Sequence, residues 1–205
     1  MTKLLTLLFF TLMLTISIAH AEKADVDKTA SDAPVLKTEV IDIKDRGGEF
    51  TLIGKDGWVS LSDFKGKVVA IYFGYTKCPD VCPTNLSFLS NAIGQLSSNE
   101  KQQFQSIFIS VDPGRDSPDT LVDYVKYFDK DMIGLSAAPD DLDPVVAQYG
   151  AYYEKVPYSN SALMYGIDHT SETYIVGKNG KLSSILPHAT DSAKILAAIR
   201  EAMEK

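Results

Sequence analysis

The sequence of 205 residues predicts an α/β sandwich, in which a central mixed β-sheet is flanked by helices and preceded by an extra N-terminal hairpin. Strand-like and helix-like segments alternate along most of the chain, an order that is typical of α/β domains. Two of the strand-like segments are largely apolar, as expected of strands covered on both faces. Hydrophobic residues make up 45% of the chain, which is enough for one well-buried domain.

The first 21 residues have the pattern of a secretory signal peptide. Lys3 precedes an apolar stretch over residues 4–19, and residues 19–21, AHA, form a small-x-small cleavage site. The alternative is an uncleaved membrane anchor, for which the stretch is short, since a spanning helix needs about 20 mostly apolar residues. A mitochondrial transit peptide would be rich in arginine, whereas the first arginine is Arg46. We therefore expect export to the bacterial periplasm, as a soluble protein or one tethered to the inner membrane.

Residues 22–40 are predicted to be a flexible leader, and residues 41–205 a single domain. The leader begins EKADVDKTASDAPV, a stretch of polar and small residues without an apolar period. The whole chain carries a net charge of −7. This acidic balance argues against a nucleic-acid partner, because binding to phosphates depends on clustered lysine and arginine.

The domain is predicted to open with a hairpin, a buried strand and a helix. Residues 49–53 and 58–61 flank the turn signal GKDG. Residues 67–73, KVVAIYF, form a largely continuous apolar run, and Pro83 suits the first turn of the helix that follows. This helix presents one apolar stripe at spacings of three and four, formed by Leu86, Leu89, Ile93 and Leu96.

The rest of the domain continues the alternation. Residues 106–111 are a second buried strand, which leads into a loop over residues 112–116. Ser117 is the expected N-cap of the next helix. The remaining elements are expected in this order: a short strand over 132–136, a helix over 140–149, a hairpin with strands 173–176 and 182–185, and a helix from near Asp191 that buries Ile195, Leu196, Ile199 and Met203.

The two cysteines of the chain, Cys78 and Cys82, both lie in the segment KCPDVCP. They stand where the first buried strand gives way to its helix, which in this order of elements is the thioredoxin pattern. Free amides and the dipole at a helix start favour a thiolate, so we expect a lowered pKa for one or both. Positions i and i+4 share a helix face, so the sulfurs could bond to each other or bind one soft metal ion. A passive, packed pair is the alternative.

The histidines offer a possible third ligand. Structural zinc takes four protein ligands, whereas Cu(I) prefers soft sulfur, so two thiolates favour copper. Besides His20 in the predicted signal peptide, the chain contains His169 and His188. In a thioredoxin-like fold His169 would enter the second hairpin across from the cysteine helix and could reach the sulfurs. His188, between the last strand and the last helix, is expected to be a solvated loop residue.

Three segments resemble the Sco/SenC family of copper-binding, thioredoxin-like proteins: GKVVAIYFGYTKCPDVCPTNL, ISVDPGRDSPDTL and YGIDHTSETYIVGKNGKL. The resemblance runs from about Gly48 to the C-terminus. It implies that Cys78, Cys82 and His169 bind one copper ion, as Cu(I) or Cu(II). It also implies a role in building the dinuclear copper centre of cytochrome c oxidase. The partner would then be the copper-receiving subunit of that oxidase or another copper chaperone, and an uncleaved N-terminus would associate the protein with a membrane.

Two acidic residues beside these motifs have alternative roles. Asp168 either orients the side chain of His169 and adds negative charge near it, or is simply a turn residue. Asp112 ends a strand in the Val-Asp-Pro loop, and we expect it to fix that loop rather than bind metal.

The expected function is that of a copper metallochaperone, which is not an enzyme. The alternative is a thiol-disulfide reductase that keeps the copper-ligand cysteines of the oxidase reduced, with Cys78 and Cys82 as a redox-active disulfide. In that reaction Cys78 would attack and Cys82 would resolve. A copper sensor or buffer would carry the same site. A peroxidase is disfavoured, because Thr76 stands two residues before Cys78, whereas the peroxiredoxin pattern places threonine three residues before its cysteine.

Overall fold

The computed structural model describes residues 43–157 and 164–205, so the predicted signal peptide and leader, residues 1–40, lie outside the described residues. The described part contains these helices and strands in order: β1 (Thr51–Gly54), β2 (Gly57–Ser60), β3 (Val68–Gly74), α1 (Val81–Gly94), α2 (Ser98–Gln102), β4 (Phe104–Ser110), α3 (Pro118–Val125), β5 (Ile133–Leu135), α4 (Pro139–Tyr149), β6 (Tyr153–Pro157), β7 (Tyr165–His169), β8 (Thr173–Val176), β9 (Leu182–Leu186) and α5 (Ser192–Glu204). None of these helices combines the length and apolar character needed to cross a membrane.

Among the described residues, five strands form the central sheet in the order β5-β4-β3-β8-β9. Strand β3 lies in the middle, parallel to β4 and antiparallel to β8, so the sheet is mixed as predicted. Every residue of β3 is buried, because both faces of the sheet are covered. The extra hairpin β1–β2 is also confirmed, and it joins the sheet edge through an isolated bridge between Ile53 and Ser136.

The two faces of β3 pack against different helices, since successive side chains of a strand point in opposite directions. Tyr72 lies on the face covered by α1 and stacks with Phe108 of β4, their ring centroids 6.2 Å apart. Phe73 lies on the other face, where its ring centroid is 5.8 Å from that of Tyr149 in α4. This layering seats the first turn of α1 directly over the end of β3.

The predicted helix starts at Ser117 and Asp191 are confirmed. The two side chains accept hydrogen bonds from the amides of Thr120 and Lys194, which satisfies free donors in the first turns of α3 and α5. One prediction for α5 was wrong: Met203 is only half-buried. The other predicted core residues of α5 are buried, and the stripe continues through a smaller residue, Ala202. Met203 lies at the edge of that stripe, near the helix end.

Pro83 lies in the first turn of α1, as predicted. The first residue of this helix is Val81 and its N-cap residue is Asp80, so Pro83 is the third residue of the helix. Cys82 also lies in this first turn, whereas Cys78 precedes the helix. Leu96 is buried as predicted, but it lies beyond the end of the helix.

The sequence pattern does not predict helix α2 or the hairpin β6–β7. Strands β6 and β7 pair antiparallel as a separate two-stranded sheet, with Tyr153 opposite His169. Their sequences, YEKVP and YGIDH, mix polar and apolar residues without a clear alternation, so periodicity does not mark them as strands. His169 thus closes a strand of its own, instead of simply preceding the second predicted hairpin.

Candidate metal centre

The structure brings the three predicted ligands together from three separate places in the fold. Cys78 lies in the loop between β3 and α1, Cys82 in the first turn of α1, and His169 at the end of β7. The two Sγ atoms and one imidazole nitrogen all lie within 4.8 Å of one another. Both cysteines are free thiols. The pair is held by the chain itself, since the backbone N–H of Cys82 donates to Cys78 Sγ over 3.4 Å.

A glycine at the end of β3 lets the sulfur of Cys82 approach the sheet. A Cβ atom placed on Gly74 would lie 2.8 Å from Cys82 Sγ and 2.9 Å from the ring of Phe108. Any larger residue would displace one of these groups, so the glycine is required for this close approach. As a result Cys82 is fully buried, whereas Cys78 is 9% exposed at the edge of the site.

The imidazole of His169 is oriented by the backbone. Its Nδ1 lies 2.8 Å from the carbonyl oxygen of Thr170, and a carbonyl can only accept, so Nδ1 carries the proton. The lone pair of Nε2 then faces Cys82 Sγ, 3.3 Å away. Two tyrosine rings contact the imidazole edge-on, those of Tyr75 and Tyr72, with centroid distances of 5.7 and 6.3 Å. The ring is thus presented to the sulfurs in the tautomer that a metal ion needs.

The two thiols differ strongly in acidity. The hydrogen bond from Cys82 lowers the pKa of Cys78 to about 4, with smaller contributions from the amides of Asp80 and Cys82, although burial opposes the shift. Burial raises the pKa of Cys82, and its interaction with Cys78 raises it further. The predicted lowered pKa is confirmed for Cys78, but its largest cause is the neighbouring thiol and not the helix start. The metal-free site therefore holds one thiolate, on the more exposed sulfur.

A buried carboxylate anchors the cysteine loop. Asp116 accepts hydrogen bonds from the backbone N–H and the hydroxyl of Thr76, and from the hydroxyl of Ser110 at the end of β4. It is 1% exposed, so these three donors satisfy a carboxylate that has little access to water. Asp116 was not among the functional residues predicted from the sequence. Its only signal was an acidic side chain in the loop after a buried strand, forty residues away from Thr76 in the chain.

A second buried carboxylate, in the loop that follows β4, connects this loop to β7, the strand of His169. Asp112 forms an ion pair with Arg115 and accepts a hydrogen bond of 2.7 Å from the hydroxyl of Tyr165. The guanidinium of Arg115 stacks over the ring of Tyr165 at 3.7 Å and donates to its carbonyl oxygen. These contacts support the expectation that Asp112 fixes its loop. They also hold β7 in place, and with it His169.

Two residues considered from the sequence lie outside this cluster. His188 is exposed in the loop between β9 and α5, as predicted. Asp168 is exposed on β7, and the hydrogen bond from His169 Nδ1 goes to the carbonyl of Thr170 instead. The backbone carbonyl of Thr170 therefore orients the His169 ring, which was one of the two roles considered for Asp168.

The donor set and its spacing fit a soft metal ion. Metal–thiolate bonds of about 2.3 Å from one centre place three donors roughly 4 Å apart, and the three ligand atoms already lie within 4.8 Å of one another. Two thiolates and an imidazole are ligands that copper accepts.

The chain is similar in sequence and in fold to proteins of one known family. A sequence model of the SCO1/SenC family matches residues 39–204. An SCO2-like protein of Rickettsia prowazekii is 39% identical over 136 residues, which are 66% of this chain and 66% of the relative. Copper-bound ScoI of Bradyrhizobium japonicum is 35% identical, with a TM-score of 0.68 over 77% of this chain and 99% of that one. Copper-bound yeast Sco1 is 30% identical, with a TM-score of 0.70 over 78% of this chain and 89% of that one. These likenesses confirm the predicted thioredoxin-like fold.

Proposed function

The chain belongs to the SCO1/SenC family, and from this premise we propose that it is a copper metallochaperone that binds one copper ion and passes it on. The observation that carries the proposal is the meeting of two sulfurs and one imidazole nitrogen within 4.8 Å. Two similar structures, from Bradyrhizobium japonicum and yeast, have copper bound. The matched segment spans 66% of the length of the Rickettsia relative, so the activity of the whole protein is proposed here together with the copper site.

In this proposal Cys78 and Cys82 supply thiolates and Nε2 of His169 supplies the third donor. The ion is cargo, so the site must release it as well as hold it. Cys82 is fully buried, whereas Cys78 and the half-buried His169 lie nearer the surface. A partner's thiols would therefore displace the outer donors first, and Cys82 last, by ligand exchange.

We propose the copper-receiving subunit of cytochrome c oxidase as the recipient, or another copper chaperone that serves it. The Sco family is described as a family of cytochrome c oxidase assembly proteins. Release could be coupled to redox state, because transfer of two electrons from Cys78 and Cys82 to a partner disulfide would leave the pair as a disulfide and remove both thiolate donors.

The second candidate is the thiol-disulfide reductase, and the thiolate of Cys78 favours it. The Cys78 thiolate would attack one sulfur of a partner disulfide, forming a mixed disulfide and releasing one partner thiolate. Cys82, after losing its proton, would then attack the sulfur of Cys78 and release the second partner thiolate. The partner gains two electrons, and this chain keeps a Cys78–Cys82 disulfide. That reaction makes no use of His169.

Substitution of His169 separates the two candidates. Competition titration of the reduced protein against a Cu(I) chelator should show that His169→Ala lowers the copper affinity by more than about tenfold, since loss of even an outer partner of a metal ligand costs that much. Reduction of a small disulfide by the same variant should stay near the wild-type rate. His188→Ala is the matched control and should change neither. Near-native copper affinity in His169→Ala would contradict the three-ligand site.

We also propose that residues 1–21 are removed as a signal peptide and that the domain works in the periplasm, joined to residues 22–40 as a leader. The apolar stretch and the AHA site support this. The N-terminal sequence of the protein recovered from a periplasmic fraction tests it. A recovered chain that still begins at Met1 would indicate an uncleaved anchor instead.

A further inference from the structure

The Tyr72 side chain has a polar group that neither the fold nor the proposed ligand set uses. Tyr72 is fully buried in the middle of the sheet. Among the described residues, its hydroxyl meets no hydrogen-bond partner. A buried hydroxyl without a partner is unfavourable, because it has given up its bonds to water and gained none. This hydroxyl is therefore available as a donor to a neighbouring group.

The geometry places this hydroxyl-bearing ring beside the sulfur of Cys82. A Cβ atom on Gly74 would lie 2.8 Å from Cys82 Sγ and 3.0 Å from Cε1 of Tyr72, so ring and sulfur meet across that glycine. The Tyr72 ring also contacts the imidazole of His169 edge-on. Its other packing partner is the apolar ring of Phe108. Cys82 and Asn85 are near enough to the hydroxyl to affect the pKa of Tyr72, although neither forms a hydrogen bond of ordinary length with it.

Asn85 is already engaged at both ends of its side chain. Its Nδ2 donates to the carbonyl of Ser171, and its Oδ1 accepts from the backbone N–H of Ala189. A neutral thiol at Cys82 is only a weak acceptor. A cysteine that binds a metal ion does so as a thiolate. A thiolate is a stronger hydrogen-bond acceptor than a thiol, because it is charged.

We propose that the Tyr72 hydroxyl is a hydrogen-bond donor held ready for the Cys82 thiolate of the copper-loaded site. Tyr72 is then a positioning residue, which acts on the metal through its ligand. Because the hydroxyl has no other partner among the described residues, it is free to bond the sulfur that binds copper, and this bond would stabilise the loaded state. It also withdraws electron density from the sulfur. This inference rests on the proposed copper-binding function.

Tyr72→Phe removes the hydroxyl and keeps the ring. We expect its Cu(I) affinity, measured by competition, to fall about tenfold, since hydrogen bonds to charged groups are the strong ones. The sulfur-to-copper charge-transfer bands of the Cu(II) form should move to lower energy, because the thiolate becomes easier to oxidise. The metal-free variant should be at least as stable to heat as the wild type, since the lost hydroxyl had no partner.

Tyr149→Phe is the matched control. Tyr149 is equally buried, but it lies on the other face of β3 and its hydroxyl donates to the carbonyl of Gly48. This variant should lose heat stability and keep the wild-type copper affinity and band energies. Unchanged affinity and bands in Tyr72→Phe would overturn the role of Tyr72 and leave the proposed function standing. Wild-type protein that binds no copper would overturn both.

Discussion

At the scale of single residues, Cys78 and Cys82 have identical side chains but opposite pKa shifts, because their positions in the fold differ. The pKa of Cys78 is lowered to about 4, and that of Cys82 is raised by its burial. The thiolate is therefore on the less deeply buried of the two cysteines. This division suits either candidate function, since both ligand exchange and disulfide attack begin with the accessible sulfur.

The acidity of Cys78 predicts an unusual pH dependence of its alkylation. A lowered pKa means that the thiolate is already complete above about pH 5, so a further rise in pH adds no nucleophile. We expect the rate of modification by iodoacetamide in the reduced, metal-free protein to be flat between about pH 6 and pH 8, and to fall only as the pH approaches about 4. Peptide mass spectrometry can follow Cys78 specifically.

Cys82→Ala removes the largest cause of that shift. In this variant the pKa of Cys78 should move back toward its ordinary value, so the alkylation rate should climb between about pH 6 and pH 8. A wild-type rate that rises about tenfold per pH unit over this range would show that Cys78 is an ordinary thiol and contradict the asymmetry.

At the scale of elements, the site depends on how the hairpin β6–β7 is held against the body of the domain. Tyr165 at the start of β7 contacts Asp112 and Arg115, and the backbone N–H of Ile167 donates to the hydroxyl of Tyr75. His169 follows at the end of the same strand. The third ligand is thus positioned by contacts made along the whole of β7, and not by its immediate sequence neighbours.

Substitution of two glycines by alanine should change the free energy of unfolding in opposite directions. In Gly134→Ala the new Cβ would lie 2.7 Å from Cβ of Leu121, so β5 and α3 would be forced apart at a cost of about 1–3 kcal/mol. Gly94, at the end of α1, has open space around its Cβ position, and Gly94→Ala should stabilise by up to about 1 kcal/mol. Urea unfolding of the metal-free variants measures both. Equal stability of Gly134→Ala and wild type would refute the close contact.

At the scale of the whole molecule, the proposed ligands link the sheet body to the separate β6–β7 sheet. A metal ion bound to Cys78, Cys82 and His169 would connect α1 to β7, which are far apart in the sequence. Because the assembled site exists only in the folded protein, the free energy of binding adds to the free energy of unfolding. Heat stability therefore reports on the assembly of the complete site.

We expect copper to raise the unfolding temperature of the reduced protein. A free copper concentration a thousand times the Kd contributes about 4 kcal/mol, and a protein of this size shifts by roughly 2–4 °C per kcal/mol. The expected rise is thus up to roughly 16 °C, less whatever the unfolded cysteines bind. Calorimetry with and without Cu(I) measures it, and Cys78→Ser/Cys82→Ser should abolish it. A rise that survives in the double variant would indicate binding elsewhere.

Where the sequence alone succeeded, the signal was local. The buried strand over residues 67–73, the helix stripe after it and the N-caps at Ser117 and Asp191 each follow from neighbouring residues. The hairpin β6–β7 has no such signal, since its strands are short, mixed in polarity and stabilised by each other. The burial of Met203 was wrongly predicted for a related reason. Periodicity shows which residues share a helix face, but it does not show where the sheet beneath that face ends.

The order of elements and the place of the cysteine pair at a strand-to-helix junction could be predicted from spacing and apolar pattern along the chain. The family could be predicted from the resemblance of three motif segments. Packing in three dimensions brings His169 to the sulfurs and leaves His188 in solvent. It also places Asp116 against the loop of Thr76 and keeps the proton on the buried thiol. Each of these depends on burial and on contacts between distant residues, which exist only once the sheet and helices have packed.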